Sequence, residues 1–153
     1  MILVEKDMLL QGINIVRDFE STSAMVMADT DSMRQVFLNL LNNAEHAISN
    51  GGRLTISTEI NNNESNLQSV PTDDSPPKKL KKILRIKFID AGAGITKDDL
   101  EKVFEPFFTT KPEEKGTGLG LSISYSIIAR HGGVLEIDSK VHVGTTVIIN
   151  LPI

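Results

Sequence analysis

The chain of 153 residues has little of several residue types on which many functions depend. It has no cysteine, which excludes disulfides, thiolate metal sites and thiol nucleophiles, and favours a reducing, cytoplasmic compartment. It has no tryptophan and only 5% aromatic residues, so it offers few surfaces on which single-stranded bases stack. The formal net charge of −4 provides no basic field for a polyanion. We therefore expect no nucleic-acid partner.

Long hydrophobic runs are also missing from the sequence. No apolar stretch approaches the roughly 20 residues that a membrane span requires. The N-terminal segment carries Glu5 and Asp7 instead of the basic and then apolar order of a signal peptide. We expect no membrane contact by this chain and a single domain over residues 1–153.

The periodicity of apolar residues predicts mixed helices and strands, which favour a two-layer α/β (α+β) sandwich with helices on one face of a mixed sheet. Asp29, Thr30 and Asp31 are N-cap candidates for the longest helix. The predicted helices are 3–10, 31–49 and 118–130, and the predicted strands are 13–16, 24–28, 54–59, 84–88, 134–138 and 146–151.

The segment 61–82 is too polar to order itself, with three consecutive asparagines, the consecutive prolines Pro76 and Pro77, and a lysine cluster. We interpret it as a solvated hairpin loop, and a docking loop for a partner is the alternative. No segment of the sequence suggests a domain boundary.

A strip of polar residues on the long helix is the first candidate site. Asn39, Asn43 and His46 follow one another at spacings of four and three, and we place them on the side opposite the apolar arc that begins at Val36. Asparagine is a poor helix former, so this strip needs a compensating role. It is either an ordinary solvated helix face or a ligand-facing strip in which an amide oxygen coordinates Mg²⁺.

The second candidate is Asp90, which ends an apolar strand and is followed by Gly92 and Gly94. The dinucleotide fingerprint does not fit, because it requires glycine where Lys97 stands. The glycines serve a tight turn or the close approach of a ligand. An ionised carboxylate in a pocket accepts from the exocyclic amine of adenine and rejects the carbonyl of guanine, which predicts ATP over GTP.

The third candidate joins a cluster of phenylalanines, Phe104 to Phe108, to the glycine-rich segment Gly116 to Leu121. Glycines that open a helix expose N–H groups, which bind phosphate. A flexible surface loop with hydrophobic anchors is the alternative. Walker A, H-R-D and D-F-G motifs are absent from the sequence, so a nucleotide would be bound by another architecture.

Taken together, these segments resemble the catalytic, ATP-binding domain of sensor histidine kinases, in the GHKL superfamily that also holds gyrase and mismatch-repair ATPases. Gln35 to Ala44 resembles the asparagine box, Asp90 to Ile95 the first glycine box, Phe104 to Phe108 the phenylalanine box, and Gly116 to Leu121 the second glycine box. The resemblance runs nearly end to end.

The resemblance implies roles for individual residues. Asn39, Asn43 and Lys111 would form the catalytic set, with Asn43 as the Mg²⁺ ligand, and Asp90 would receive the adenine amine with help from Thr145. Residues 96–115 would form a mobile ATP lid. The ATP contacts that the family implies are Asn39, Asn43, His46, Asp90, Gly92, Gly94, Ile95, Phe104, Phe108, Thr109, Thr110, Lys111, Gly116, Thr117, Gly118, Leu119, Gly120, Leu121 and Thr145.

The resemblance also implies transfer of the γ-phosphoryl of Mg-ATP to a histidine on a separate dimerisation domain, with a response regulator receiver domain as a further partner. None of His46, His131 and His142 has the local context of that acceptor, so we expect the acceptor outside these residues. His131 is expected to cap its helix and His142 to face solvent. The alternatives are a regulatory nucleotide-binding module without phosphotransfer and an anti-sigma-type serine kinase.

Overall fold

The computed structural model describes residues 2–20, 24–48, 51–63, 81–111 and 116–153. Within these ranges the helices and strands follow one another in an order close to that predicted from periodicity. The elements are α1 (Ile2–Leu10), β1 (Ile13–Phe19), α2 (Thr30–Ala47), β2 (Gly52–Asn63), β3 (Lys81–Asp90), α3 (Lys97–Leu100), α4 (Gly120–Arg130), β4 (Val134–Lys140) and β5 (Gly144–Pro152).

The strands form one mixed sheet in the order β1-β2-β3-β5-β4. β1 runs parallel to β2, and the remaining neighbours are antiparallel. α2 and α4 pack against each other and against the sheet, and α1 packs against β1 and α2. The predicted two-layer sandwich with a mixed sheet is therefore confirmed.

The core lies between the helices and the inner face of the sheet. Val36, Leu40 and Leu41 of α2 are buried against inner-face residues such as Leu54 and Ile149. This apolar burial is the main source of stability, at roughly 25 cal/mol for each Å² removed from water.

The outer face of the sheet is polar and hydrogen-bonded across four strands. Glu59 pairs with Arg85 and with Lys87, both at 3.1 Å. Arg85 Nε donates to Asn150 Oδ1 at 2.9 Å, and Asn150 Nδ2 donates to Glu136 Oε2 at 2.8 Å. The four strands β2, β3, β5 and β4 are antiparallel to their neighbours. Antiparallel strands commonly pack an apolar face on the core and expose a polar face to water, as here.

The start of α2 and the end of α4, which lie together at one end of the helix pair, are fixed by capping contacts. Asp29 caps α2, because its Oδ1 accepts from Ser32 N at 2.8 Å. His131 caps α4 as predicted, since its Nδ1 donates to Ile127 O at 2.7 Å. Its Nε2 accepts from Asp29 N at 3.0 Å, so the ring links the end of α4 to the start of α2. His142 is exposed, also as predicted.

The fold differs from the sequence prediction in several features. The strand predicted over 24–28 is wrong, because these residues form no strand. Val26 packs against the core, whereas Met25 and Met27 are 90% and 96% exposed. α3 was not predicted, although Thr96 caps it by accepting from Asp99 N at 3.2 Å.

The polar segment between β2 and β3 is shorter than predicted. β2 continues to Asn63 and β3 begins at Lys81, so the ends of the predicted 61–82 loop belong to strands. Residues 64–80 lie outside the described residues. Among the parts of the chain that are described, no helix combines the length and apolar character of a membrane span.

Truncation of the core should destabilise the domain. Ile149→Ala removes a fully buried side chain from the interior strand β5, and we expect a loss of about 2–5 kcal/mol in the free energy of unfolding. Val134→Ala, at a position that is 53% exposed on β4, is the matched control and should change it by less than about 0.5 kcal/mol. Urea unfolding followed by circular dichroism measures both, and equal effects would contradict this description of the core.

Candidate functional site

A row of three polar residues crosses the inner face of the sheet at one end of the core. Asp90 of β3 pairs with Thr145 of β5, and Thr145 pairs with Ser139 of β4. The preceding inner-face row is apolar and contains Phe88 and Val147. Because side chains alternate between the faces of a strand, these pairings bring the polar groups together between the layers.

Asp90 is held by backbone donors on one oxygen. Its Oδ1 accepts from Gly92 N at 2.8 Å and from Thr145 N at 3.2 Å. Within the described residues nothing donates to Oδ2, so this oxygen remains available to a ligand. Burial raises the pKa of the Asp90 carboxyl, and the two backbone hydrogen bonds oppose the shift.

The raised pKa makes ionised Asp90 a cost to folding. Because the folded carboxyl binds its proton more tightly than the unfolded one, its contribution to stability falls as the pH rises through the shifted pKa. At neutral pH the Asp90 carboxylate is a desolvated hydrogen-bond acceptor, and a hydrogen-bond donor on a ligand would stabilise it.

The glycines after Asp90 are required by contacts within the protein. Gly94 has φ +73°, and a Cβ there would lie 2.2 Å from Lys140 O. A Cβ at Gly92 would lie 2.6 Å from Ala47 O, and Ala93 N donates to that same oxygen at 3.0 Å. These contacts dock the loop against α2 and β4. Gly94 lines the cavity described below, whereas Gly92 does not.

The asparagines of α2 border the apolar arc and do not lie opposite it, so the placement made from the helical wheel was wrong. Asn43 follows Val36 by seven residues, which is close to two full turns. Both Asn39 and Asn43 are half-buried and face the start of α4 and the lid segment.

Each asparagine has a specific contact. Asn39 Nδ2 donates to Gly120 O at 3.0 Å and to Ser124 Oγ at 3.2 Å, which ties α2 to α4. Asn43 Oδ1 accepts from Lys111 Nζ at 3.1 Å. Burial lowers the pKa of Lys111. His46 is exposed at the cavity, with its Nδ1 against the carbonyl oxygen of Asn42.

The start of α4 leaves N–H groups available. Leu119 occupies the N-cap position, and no side chain caps the helix there. Gly118 has φ +66°, and a Cβ there would lie 2.3 Å from the carbonyl carbon of Phe107. Phe107 N donates to Gly118 O at 2.9 Å, so the predicted lid, residues 96–115, is joined to the glycine-rich segment that precedes α4.

The phenylalanines have separate roles. Phe108 lines the cavity, while Phe104 packs on Tyr125 of α4 with ring centroids 5.1 Å apart. Phe107 is 74% exposed, with φ +68°.

These groups surround one cavity of about 580 Å³, a size typical of small-molecule sites. Of the predicted ATP contacts, Gly92, Phe104 and Leu119 do not line it. Sequence reasoning missed the apolar lining and Ser139, which adjoins the site through Thr145. The predicted contacts that do line the cavity are Asn39, Asn43, His46, Asp90, Gly94, Ile95, Phe108, Thr109, Thr110, Lys111, Gly116, Thr117, Gly118, Gly120, Leu121 and Thr145, and the unpredicted apolar ones include Leu40, Ala44, Phe88, Val103, Ile137 and Val147.

Comparison with known proteins places the chain in a family. The family described as histidine kinase-, DNA gyrase B- and HSP90-like ATPase matches residues 28–153. The chain belongs to this family. The resemblance seen in the sequence and the expectation of ATP binding are therefore confirmed.

Individual relatives of this ATPase domain are named as kinases. Sensor kinase CckA of Brucella abortus (strain 2308) is 41% identical over 132 residues, which are 83% of this chain and 13% of that protein. Sporulation kinase A of Bacillus subtilis (strain 168) is 34% identical over 150 residues, 98% of this chain and 21% of that protein. The chain thus spans only a small part of the curated relatives it matches.

A solved structure shares the fold of the ATPase domain. The nucleotide-free catalytic domain of histidine kinase ThkA superposes with a TM-score of 0.74 at 30% identity, covering 99% of this chain and 87% of that one. ThkA has also been solved in complex with the response regulator protein TrrA, with a TM-score of 0.69, 27% identity and coverage of 99% of this chain and 37% of that one. The superposition shows that this chain has the fold of a histidine kinase catalytic domain.

Replacement of Asp90 tests the adenine end of the cavity. Asp90→Asn puts an amide donor where the adenine amine needs an acceptor, so we expect ATP affinity to fall roughly 10- to 100-fold. The unfolding free energy of the nucleotide-free variant should not fall at neutral pH, because a desolvated charge is removed. Asp138→Asn, on the exposed side of β4, is the control. Titration calorimetry measures affinity, and unchanged binding by Asp90→Asn would dismiss the adenine role.

Proposed function

We propose that this domain binds Mg-ATP and transfers its γ-phosphoryl group to a histidine on a separate helical dimerisation domain. The observation that carries the proposal is the convergence of Asp90, the two α2 asparagines and the uncapped start of α4 on one cavity. The kinase relatives support phosphotransfer in preference to binding alone.

The two ends of the cavity suit the two ends of ATP. Asp90 Oδ2 accepts from the adenine amine at the sheet end, where the lining is largely apolar. The N–H groups at the start of α4 suit the phosphates at the other end, because a helix N-terminus favours anions. Lys111 and Thr109 line that end and provide further donors to phosphate oxygens.

The residues present fit Mg²⁺. Asn43 Oδ1 already accepts from a cationic group, the Lys111 ammonium. Among the described residues no cluster of three His, Cys, Asp or Glu side chains gathers to enclose a metal. A single amide oxygen, with phosphate oxygens and water, is a donor set that suits Mg²⁺. When bound, the ion neutralises charge on the phosphates.

The side chains favour transfer over hydrolysis. Asn39 commits its amide to Gly120 and Ser124, and an amide accepts no proton from water. Phosphoryl transfer needs mainly positioning and charge neutralisation, which Asn43, Lys111 and α4 provide. We infer weak ATP hydrolysis and a histidine acceptor brought by another domain.

A response regulator receiver domain is the proposed recipient of the phosphoryl group from that histidine. The complex of ThkA with TrrA supports this assignment. The absence of cysteine favours a reducing compartment, so we assign the reaction to the cytoplasm.

Phosphotransfer is tested by incubating the chain with γ-labelled Mg-ATP and a separately produced helical dimerisation domain that carries the acceptor histidine. We expect acid-labile, base-stable label on the added domain and none on the chain alone. Binding of ATP without transfer would indicate a regulatory module, and acid-stable label on serine would indicate a serine kinase. Either result would overturn the proposal.

The role of Asn43 is tested in the same assay. Asn43→Ala removes the amide oxygen proposed for Mg²⁺, so we expect transfer to fall roughly 100-fold or more. Asn14→Ala, on the exposed side of β1, is the matched control and should transfer normally. Normal transfer by Asn43→Ala would remove Asn43 from the site.

A further inference from the structure

The hydroxyl of Ser139 is the centre of a small hydrogen-bond network beside Asp90. It accepts from Ile95 N at 2.9 Å, lies 3.0 Å from Gly144 O and lies 2.9 Å from Thr145 Oγ1. The network thus connects the loop after Asp90 to the start of β5. Ser139 does not line the cavity, whereas its hydrogen-bond partner Thr145 does.

The number of hydroxyl protons determines which group donates in each hydrogen bond of this network. A serine hydroxyl has one proton to donate and two lone pairs to accept with. Gly144 O is a carbonyl and only accepts, so the Ser139 proton goes there, and one lone pair of Ser139 takes the Ile95 N–H. The remaining lone pair takes the proton of Thr145 Oγ1, and all three contacts are then satisfied only in this arrangement.

The consequence is a constraint on Thr145. With its proton committed to Ser139, Thr145 Oγ1 offers only lone pairs to the cavity that it lines. Asp90 Oδ2 lies on the adjacent strand and is also an acceptor, since an ionised carboxylate has no proton. The exocyclic amine of adenine has two protons, one for each acceptor. A carbonyl oxygen in place of this amine is itself only an acceptor, so it would face two acceptors and no donor.

We propose that Ser139 is a positioning residue that holds the Thr145 hydroxyl as an acceptor and so strengthens the preference for adenine over a 6-oxopurine. This inference rests on the proposed binding of ATP in this cavity. Ser139 acts through Thr145. Its removal leaves the Thr145 hydroxyl free to turn and donate to a carbonyl oxygen.

The test compares binding of ATP and of inosine triphosphate, which carries a carbonyl at position 6, by calorimetry on the full chain. The quantity that decides is the ratio of the two dissociation constants, Kd for inosine triphosphate over Kd for ATP. We expect Ser139→Ala to lower this ratio about three- to tenfold, as the loss of one hydrogen bond allows. Ser139→Thr, which keeps the hydroxyl, should restore the ratio.

A purely structural role would weaken both nucleotides equally and leave the ratio unchanged, and that result would overturn the inference. Thr145→Val tests the same hydroxyl without changing Ser139, so it remains informative if Ser139→Ala does not fold. It should lower the ratio by itself, and an unchanged ratio in this variant also overturns the inference. Adding Ser139→Ala to Thr145→Val should lower the ratio no further.

A serine on the outer face of the sheet provides the control. Ser57→Ala on β2, away from the cavity, should leave the ratio as in the wild type. If the wild type binds ATP and Asp90→Asn does not, a failure at Ser139 concerns only this inference. If the wild type binds no ATP, the proposed function itself fails.

Discussion

The pairing register of β3, β5 and β4 is the constraint on which the site depends. It aligns Asp90, Thr145 and Ser139 in one row, next to the apolar row of the same face that contains Phe88, Val147 and Ile137. A shift of one residue in either pairing would turn part of this row toward solvent. The buried apolar rows next to it oppose such a shift, because it would expose Val147 and Ile149. The hydrophobic core therefore specifies the position of the polar site.

The same row shows how the fold accommodates polar groups at the edge of its core. Asp90 is partly desolvated, which raises its pKa, yet two backbone N–H groups stabilise its charge. No buried polar side-chain atom among the described residues lacks a hydrogen-bond partner. Within the described residues nothing donates to the second carboxylate oxygen of Asp90, which is left for a ligand. An acceptor held ready in this way costs some folding free energy and favours binding.

Much of the fold was predictable from the sequence, because amphipathic periodicity reports which face each element buries. The helices and the strands that flank the site followed from that pattern, and the motifs predicted most of the cavity lining. The failures have physical causes. The run Ala24 to Ala28 is apolar, but only Val26 among its central residues packs on the core. The position of Asn43 beside the apolar arc needed an accurate helical phase.

Strand order and register could not be predicted from local patterns, since they depend on pairings between distant segments. Ser139 shows the consequence for the site. Its alternation with Leu135 and Ile137 places a serine in an inward-facing position, which is a signal in the sequence. The meaning of that signal appears only when β4 is paired with β5 and Thr145 becomes its neighbour. The local pattern identifies Ser139 as an unusual inward-facing residue, and the strand pairing identifies Thr145 as its partner.

Two links between the main helices have a mechanical consequence. Asn39 joins the middle of α2 to the start of α4, and His131 joins the end of α4 to the start of α2. The antiparallel helices are thus clamped at two separated points and behave as one rigid wall. The spacing between the Asn43 amide and the N–H groups of Gly120 and Leu121 is a property of that helix pair and is established during folding. Under the proposed function, the triphosphate meets a spacing that folding has already set.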